Sequence, residues 1–173
     1  MTISVRFPSP VGELILTASE TALTGVFFPT SRHVPPLHDV ERGSGGEVLR
    51  GDGIDHSILA RTRDQLSEYF AGTRTSFDLA LDPRGTPFEL RVWQELRAIP
   101  YGATRSYSDI ARRLGDPRST RAVGAANGKN PIPIIVPCHR VIGAHGELTG
   151  FGGGIDRKRW LLEHEGALLP LRG

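Results

Sequence analysis

The sequence predicts an α/β N-terminal unit, a small antiparallel sheet with one helix, followed by a mostly helical unit that contains a helix-turn-helix. Two observations predict this fold class. Alternating apolar residues and turn signals dominate residues 1–82, whereas helix-capping signals recur from residue 86 onward. A chain of 173 residues holds one domain or two small ones, and the turn at residues 82–85 predicts domains over 1–82 and 83–173.

The N-terminal sheet is predicted from three apolar stretches separated by turn residues: residues 3–7, 14–16 and 23–28. Residues 31–57 are rich in Gly and Pro and poor in large apolar residues, which predicts an exposed, mobile loop. Helical spacing then runs from Ile58 to Phe70. Alternation of Phe77, Leu79 and Leu81 predicts one more strand.

The C-terminal half begins with Thr86-Pro87-Phe88-Glu89, a capping box with Pro in the first helical position, which predicts a helix with a buried apolar stripe through residues 88–99. Ser106–Asp109 is a second capping signal, and Gly115 ends that helix. After the turn at 116–118, a helix of small residues is predicted from about Ser119 to Asn127. This helix-turn-helix outline suits DNA binding, and it is also a common packing unit of helical proteins.

Charge and cysteine content narrow the function classes. Residues 1–82 hold 7 Arg against 11 Asp and Glu, a net of −4, whereas residues 83–173 hold 14 Lys and Arg against 8, a net of +6. This asymmetry is typical of a polyanion-binding half, with an ordinary basic surface as the alternative. The single cysteine excludes an internal disulfide and a multi-cysteine zinc site. No apolar run nears the roughly 20 residues of a membrane span, so we expect a soluble, cytoplasmic protein without membrane contact or bound metal.

The most informative segment is Pro137-Cys138-His139, which follows a buried run at 132–136, so the chain is expected to leave the core at Pro137. A thiol with an ordinary pKa near 8.5 is only a few per cent ionised at neutral pH and needs a base or a positive dipole. His139 could supply the base, and a helix beginning at Pro137 the dipole. Glu165 is the candidate to orient His139, with Glu163 and Glu147 as alternatives. A small buried hydrophobic role for Cys138 stays open.

No nucleotide-binding motif is complete. The glycines at 150–154 lack the third glycine of a dinucleotide fingerprint, and Gly128-Lys129 lacks the rest of a Walker loop. We therefore expect no cofactor. The glycines could instead let the backbone pass close to a small flat ligand.

Residues 137–141 (PCHRV), with Arg121-Ala122-Val123-Gly124 and Asn130-Pro131 before them and Gly152–Gly154 and Trp160–Leu162 after them, resemble the O6-alkylguanine-DNA alkyltransferases. The resemblance is strong over residues 83–167 and weaker over the N-terminal unit, which in that family is ribonuclease H-like. It implies direct-reversal DNA repair: one irreversible transfer of an alkyl group from O6-alkylguanine, and from O4-alkylthymine, in duplex DNA to Cys138 after base flipping.

The resemblance also implies roles for individual residues. His139 would deprotonate Cys138 through a water, Glu165 would orient His139, and Tyr107 would donate to guanine N3. Asn130 would be the hinge before the active segment, and Arg121 would fill the stack vacated by the flipped nucleotide. Further DNA contacts are expected from Arg118, Ser119, Thr120, Ala122, Ala125 and Ala126, and pocket contacts from Pro133, Val141, Phe151, Gly152 and Lys158.

The sequence departs from the family at two points. Phe151 stands where some relatives have Tyr, and one cysteine cannot complete the zinc site that some relatives carry. Two other functions are alternatives: a lesion binder without alkyl transfer, against which Cys138 counts, and a Cys-His-Glu hydrolase. We expect a monomer on nucleoid DNA, with cooperative binding along the duplex left open.

Overall fold

The computed structural model describes residues 2–31, 34 and 57–169. The chain divides into two compact units, Met1–Pro83 and Arg84–Gly173. The loop predicted over 31–57 lies almost entirely outside the described residues, so that prediction is not tested. Within the described ranges, no helix is long and apolar enough to cross a membrane.

The N-terminal unit is built on a three-stranded antiparallel sheet in the order β1 (Ile3–Ser9), β2 (Gly12–Ala18) and β3 (Leu23–Phe27). Helix α1 (Ser57–Phe70) packs on the three strands. Leu14, Leu16 and Leu23 from the sheet and Leu66 and Tyr69 from α1 are fully buried and form the core of the unit. The three strands and the helix are confirmed as predicted.

The strand predicted over residues 77–81 is wrong, since only Leu81 makes a bridge, to Leu23. The reason lies in Gln65 of α1, whose side chain satisfies the backbone that a strand partner would have used. Its Nε2 donates to the Asp78 carbonyl at 3.0 Å, and its Oε1 accepts from the Asp78 amide at 2.9 Å. The segment is therefore held by a helix side chain instead of a neighbouring strand.

In the C-terminal unit, α2 (Pro87–Arg97) begins with the predicted capping box of Thr86 and Glu89. Its buried residues are Val92, Trp93 and Leu96, whereas Phe88 is only partly buried and Ile99 lies past the end of the helix. Burial along the predicted stripe is therefore confirmed at Val92, Leu96 and Ile99, is only partial at Phe88, and the prediction missed Trp93. The indole Nε1 of Trp93 donates to the Ala126 carbonyl at 2.8 Å, which joins α2 to α4 (Thr120–Gly128).

The predicted pair of helices is present as α3 (Tyr107–Arg113), a 3₁₀ turn at Pro117–Ser119, and α4. Ser106 and Asp109 form the capping box at the start of α3, and Gly115 ends it at φ +81°, a conformation that glycine adopts without strain. Two short strands, β4 (Arg105–Ser106) and β5 (Val141–Ile142), pair in parallel and bring the start of α3 beside the end of the Cys138 segment. The last element is α5 (Ile155–His164).

Candidate active site

The segment before Cys138 is buried and held by Asn130. Ile132, Ile134 and Val136 are completely buried. The Asn130 side chain bridges the segment, donating from Nδ2 to the Val136 carbonyl at 2.7 Å and accepting at Oδ1 from the Ile132 amide at 3.0 Å. These bonds offset backbone strain at Ile134, whose φ of 73° is rare for a β-branched residue.

Cys138 begins a single 3₁₀ turn, Cys138–Arg140, and is 5% exposed. The expectation that the chain leaves the core at Pro137 is wrong, because burial continues through Val141. Burial raises the pKa of the thiol to about 11, although hydrogen bonding from Asn130 and the charge of Lys158 oppose the rise. A three-residue turn has almost no macrodipole, so the predicted helix dipole is not a source of activation.

His139 and Glu165 form a fully buried pair, with His139 Nε2 2.8 Å from Glu165 Oε1. Arg140 donates to the same carboxylate twice, from Nε to Oε2 and from Nη2 to Oε1, each at 2.9 Å. A third bond from Arg140 Nη1 reaches the Ile99 carbonyl at 2.7 Å. Of the three carboxylates considered from sequence, the structure brings Glu165 to the imidazole.

The charges of this cluster determine where the imidazole proton lies. Burial tends to raise the pKa of Glu165, but hydrogen bonds from His139 and Arg140 outweigh it and bring the pKa below its ordinary value. Burial and, to a lesser extent, the charges of Arg140 and Lys158 lower the pKa of His139, although Glu165 opposes the change. A neutral imidazole beside an ionised carboxylate must carry its proton on Nε2, because a carboxylate only accepts. Nδ1 of His139 is then an unprotonated base, and it is buried without a hydrogen-bond partner in the described chain.

Two residues that shape this cluster, Arg140 and Asn127, are not evident from the sequence. Arg140 neutralises Glu165, yet nothing in its sequence context distinguishes it from a surface arginine, because its burial depends on folding against Ile99 and Glu165. Asn127 of α4 donates from Nδ2 to the Cys138 carbonyl at 3.4 Å and thereby ties the helix pair to the thiol segment.

Tyr107 and Lys158 converge on one carbonyl, that of Thr149. The Tyr107 hydroxyl donates to it at 3.0 Å and Lys158 Nζ at 2.8 Å, with a further bond from Nζ to the Val141 carbonyl. Burial raises the pKa of Tyr107 and lowers that of Lys158 to about 8. Lys158, expected from the sequence to be a pocket residue, is completely buried. It fastens the glycine-rich loop to β5.

The other predicted pocket residues differ in accessibility. Pro133 and Val141 are buried, Phe151 is half-buried, and Gly152 is exposed. A ligand can therefore reach the loop backbone at Gly152 directly. No group of three His, Cys, Asp or Glu residues able to hold a metal ion occurs in the described ranges.

The exposed face of α4 carries the predicted DNA-contact residues with one exception. Arg121, Ala122 and Ala125 are exposed, as is Arg118 in the preceding turn, and Ser119 and Thr120 are half-buried. Ala126 is 3% exposed, so the prediction that it contacts DNA is wrong. It lies on the opposite face of α4, where a small side chain allows α2 to approach.

Family models give the class of protein that has this fold and site. Residues 87–167 match the model described as 6-O-methylguanine DNA methyltransferase, DNA binding domain, and residues 6–83 match the ribonuclease-like domain of the same protein class. The second match accords with the ribonuclease H-like N-terminal unit expected from the resemblance.

Individual relatives agree with the family models. The methylated-DNA–protein-cysteine methyltransferase of Mycobacterium tuberculosis is 48% identical over 168 residues, 94% of this chain and 91% of the relative. The constitutive enzyme of Bacillus subtilis is 44% identical over 91% of each chain. A crystal structure of the M. tuberculosis protein in complex with DNA superposes with a TM-score of 0.81 at 46% identity, covering 95% of this chain and 92% of that one. The chain belongs to the methylated-DNA–protein-cysteine methyltransferase family.

Proposed function

We propose that this protein repairs O6-alkylguanine in duplex DNA by transferring the alkyl group to its own Cys138. The Cys138 Sγ attacks the alkyl carbon, an S–C bond forms, and the C–O bond to guanine O6 breaks. The bonding electrons leave with the purine, and the thiol proton passes to Nδ1 of His139. The thioether is not displaced again, so each molecule acts once. O4-alkylthymine, which presents the same alkyl ether chemistry, is a second substrate.

One observation carries this proposal: a buried thiol follows a helix pair with a basic exposed face and precedes a neutral imidazole fixed by Glu165. A thiol with a pKa near 11 does not ionise unaided at neutral pH. The unpartnered Nδ1 of His139 suits a water that relays the proton from Cys138, because a buried polar atom without a partner is costly unless it is solvated or used. Glu165 stabilises the imidazolium that forms.

Tyr107 donates a hydrogen bond to N3 of the leaving purine in this scheme and so stabilises the purine anion. Burial raises the pKa of Tyr107, so the phenol keeps its proton at neutral pH. The hydroxyl donates to Thr149, and it must turn from that carbonyl toward guanine N3 when the base enters. Asn130 keeps the thiol segment in place and is the hinge after α4. The base is bordered by Pro133, Val141, Phe151 and Gly152. The backbone amides of residues 151 and 152 contact the alkylated oxygen, because Phe151 lacks the hydroxyl of the Tyr that some relatives have there.

DNA is bound through the exposed face of α4 and the turn before it. Ala122 and Ala125 let the helix approach the duplex closely, Arg121 enters the stack when the damaged nucleotide flips out, and Arg118 contacts phosphate. Such a surface offers little base-specific hydrogen bonding, which suits a lesion that can occur at any position. The protein acts as a monomer without a cofactor, on the chromosome in the cytoplasm.

Intact-mass analysis tests the proposal. After incubation with a duplex containing O6-methylguanine, the protein should gain one methyl group, and peptide mapping should place it on Cys138. Cys138→Ala should gain no mass and still bind duplex DNA, since the thiol does chemistry and holds no contact of α4. Many turnovers by limiting protein would instead establish a hydrolase, and binding without mass gain by the wild type would establish a lesion binder.

A further inference from the structure

A basic groove lies beside α3. The groove has a volume of about 450 Å³ and runs between the start of α3 and the turn after β5, with Arg105, Asp109 and Arg112 on one side and Ile142, Gly143 and Ala144 on the other. An adjoining depression of about 370 Å³ shares the three charged residues and adds Arg113. We call the two together the Arg105 groove. None of its residues takes part in the chemistry at Cys138.

Most charges of the Arg105 groove are already paired. Asp109 accepts from the Ser106 amide at 3.0 Å and from Arg112, and Arg113 donates from Nε to Glu95 at 2.8 Å. These bonds serve the capping box of α3 and its contact with α2. The carboxylate of Asp109 is thereby neutralised locally, which removes most of its repulsion toward an anion in the groove.

Arg105 is the exception. Its Nη1 is buried and has no hydrogen-bond partner, and its guanidinium takes part in no ion pair among the described residues. A guanidinium nitrogen removed from water without an acceptor costs free energy, so proteins rarely keep one unless a ligand supplies the acceptor. The β4–β5 pairing places the Arg105 backbone beside β5, and Arg105 lines both parts of the groove.

We propose that the Arg105 groove binds a phosphodiester group of the DNA strand. The inference rests on the proposed function and extends its DNA surface beyond α4. A guanidinium presents a planar fork that matches two phosphate oxygens, and Arg112 adds a second positive charge. In helix-turn-helix proteins the first helix crosses the backbone while the second enters a groove, which fits α3 as the phosphate-contacting helix. In the part of the chain that the structure describes, the charge of the groove that is not already paired is that of Arg105, which is positive and therefore suits an anionic phosphodiester.

The test measures binding of the full chain to an undamaged duplex as a function of salt, so it does not depend on alkyl transfer. Each lost phosphate contact reduces the slope of log K against log salt by about 0.9. Arg105→Gln should flatten the slope by about that amount and weaken binding about fivefold at low salt. Arg105→Lys keeps the charge and should keep most of the slope. Arg97→Gln, at the exposed end of α2, removes the same charge outside the groove and should leave the slope unchanged.

Circular dichroism melts of all three variants exclude loss of folding as the cause. Equal slopes for Arg105→Gln and Arg97→Gln would overturn the inference. A second measurement follows the Arg105 side-chain NMR signal during titration with inorganic phosphate. A phosphate-induced shift with an unchanged DNA slope would assign the groove to free phosphate and overturn its assignment to DNA. Failure of the proposed function would appear separately, as a wild-type protein that gains no alkyl mass.

Discussion

Glu165→Gln tests the buried cluster of His139, Arg140 and Glu165, which affects both alkyl transfer and the stability of the protein. In the wild type both carboxylate oxygens are used: Oε1 contacts His139 Nε2 at 2.8 Å and accepts from Arg140 Nη2, while Oε2 accepts from Arg140 Nε at 2.9 Å. An amide has one acceptor oxygen and one NH₂ group. In either orientation the NH₂ faces a donor, either Arg140 Nε or the proton-bearing Nε2 of His139.

The expected loss of stability follows from burial. The Glu165 side chain is 0% exposed and that of Arg140 is 7% exposed, so the arginine cannot turn to solvent when its counter-charge is removed. Breaking one partner of such a pair costs about 3–5 kcal/mol, because the remaining charge stays buried and uncompensated. We therefore expect the free energy of unfolding to fall by about 4 kcal/mol in Glu165→Gln.

Glu163→Gln is the matched control, a change two residues away on α5 at a half-buried side chain that bonds to neither His139 nor Arg140. Urea unfolding at pH 7 should show a change within about 0.5 kcal/mol for it. Alkyl transfer from free O6-benzylguanine should be slower on the order of a hundredfold in Glu165→Gln, measured at a temperature where this variant is folded. The reason is that the His139 imidazole loses both the group that orients it and the negative charge that stabilises its imidazolium form. Equal stability of the two variants, or wild-type transfer by Glu165→Gln, would refute the reasoning.

Three further predictions follow from the geometry. Arg121→Ala should lower the ratio of transfer rates on duplex DNA and on free base by about tenfold to a hundredfold, since a gap left in the stack matters only in a duplex; an unchanged ratio in single-turnover assays would reject the intercalating role. Ala126→Leu should destabilise the protein by about 1–3 kcal/mol through overpacking, whereas exposed Ala125→Leu should change it by less than about 0.5, measured by urea unfolding. Stability should decline as pH falls below about 6.5, the ordinary pKa of His139, because its folded pKa is lowered and the unfolded chain binds the proton first. The pH dependence of urea unfolding in His139→Phe should lack that decline, and a decline equal to the wild type would contradict the assignment.

Much of the fold was predictable because it rests on local signals. Capping boxes at Thr86 and Ser106 satisfy the first amide groups of their helices whatever surrounds them, so the starts of α2 and α3 could be located from four residues each. Gly115 likewise ends α3 because of its own conformational freedom. The segment 77–81 shows the limit, since its alternation is that of a strand and only the position of Gln65 on a distant helix decided otherwise.

The sequence by itself determined the nucleophile candidate, its imidazole neighbour and the basic helix pair, because each is a matter of residue type and short spacing. Only the tertiary structure decided which carboxylate meets His139, since 26 residues separate it from Glu165 and packing alone brings them to 2.8 Å. It also decided that Cys138 and Lys158 are buried, that Arg140 completes the charge cluster, and that Ala126 faces the core. Burial and the sharing of charge depend on neighbours distant in sequence, and a linear pattern does not encode them.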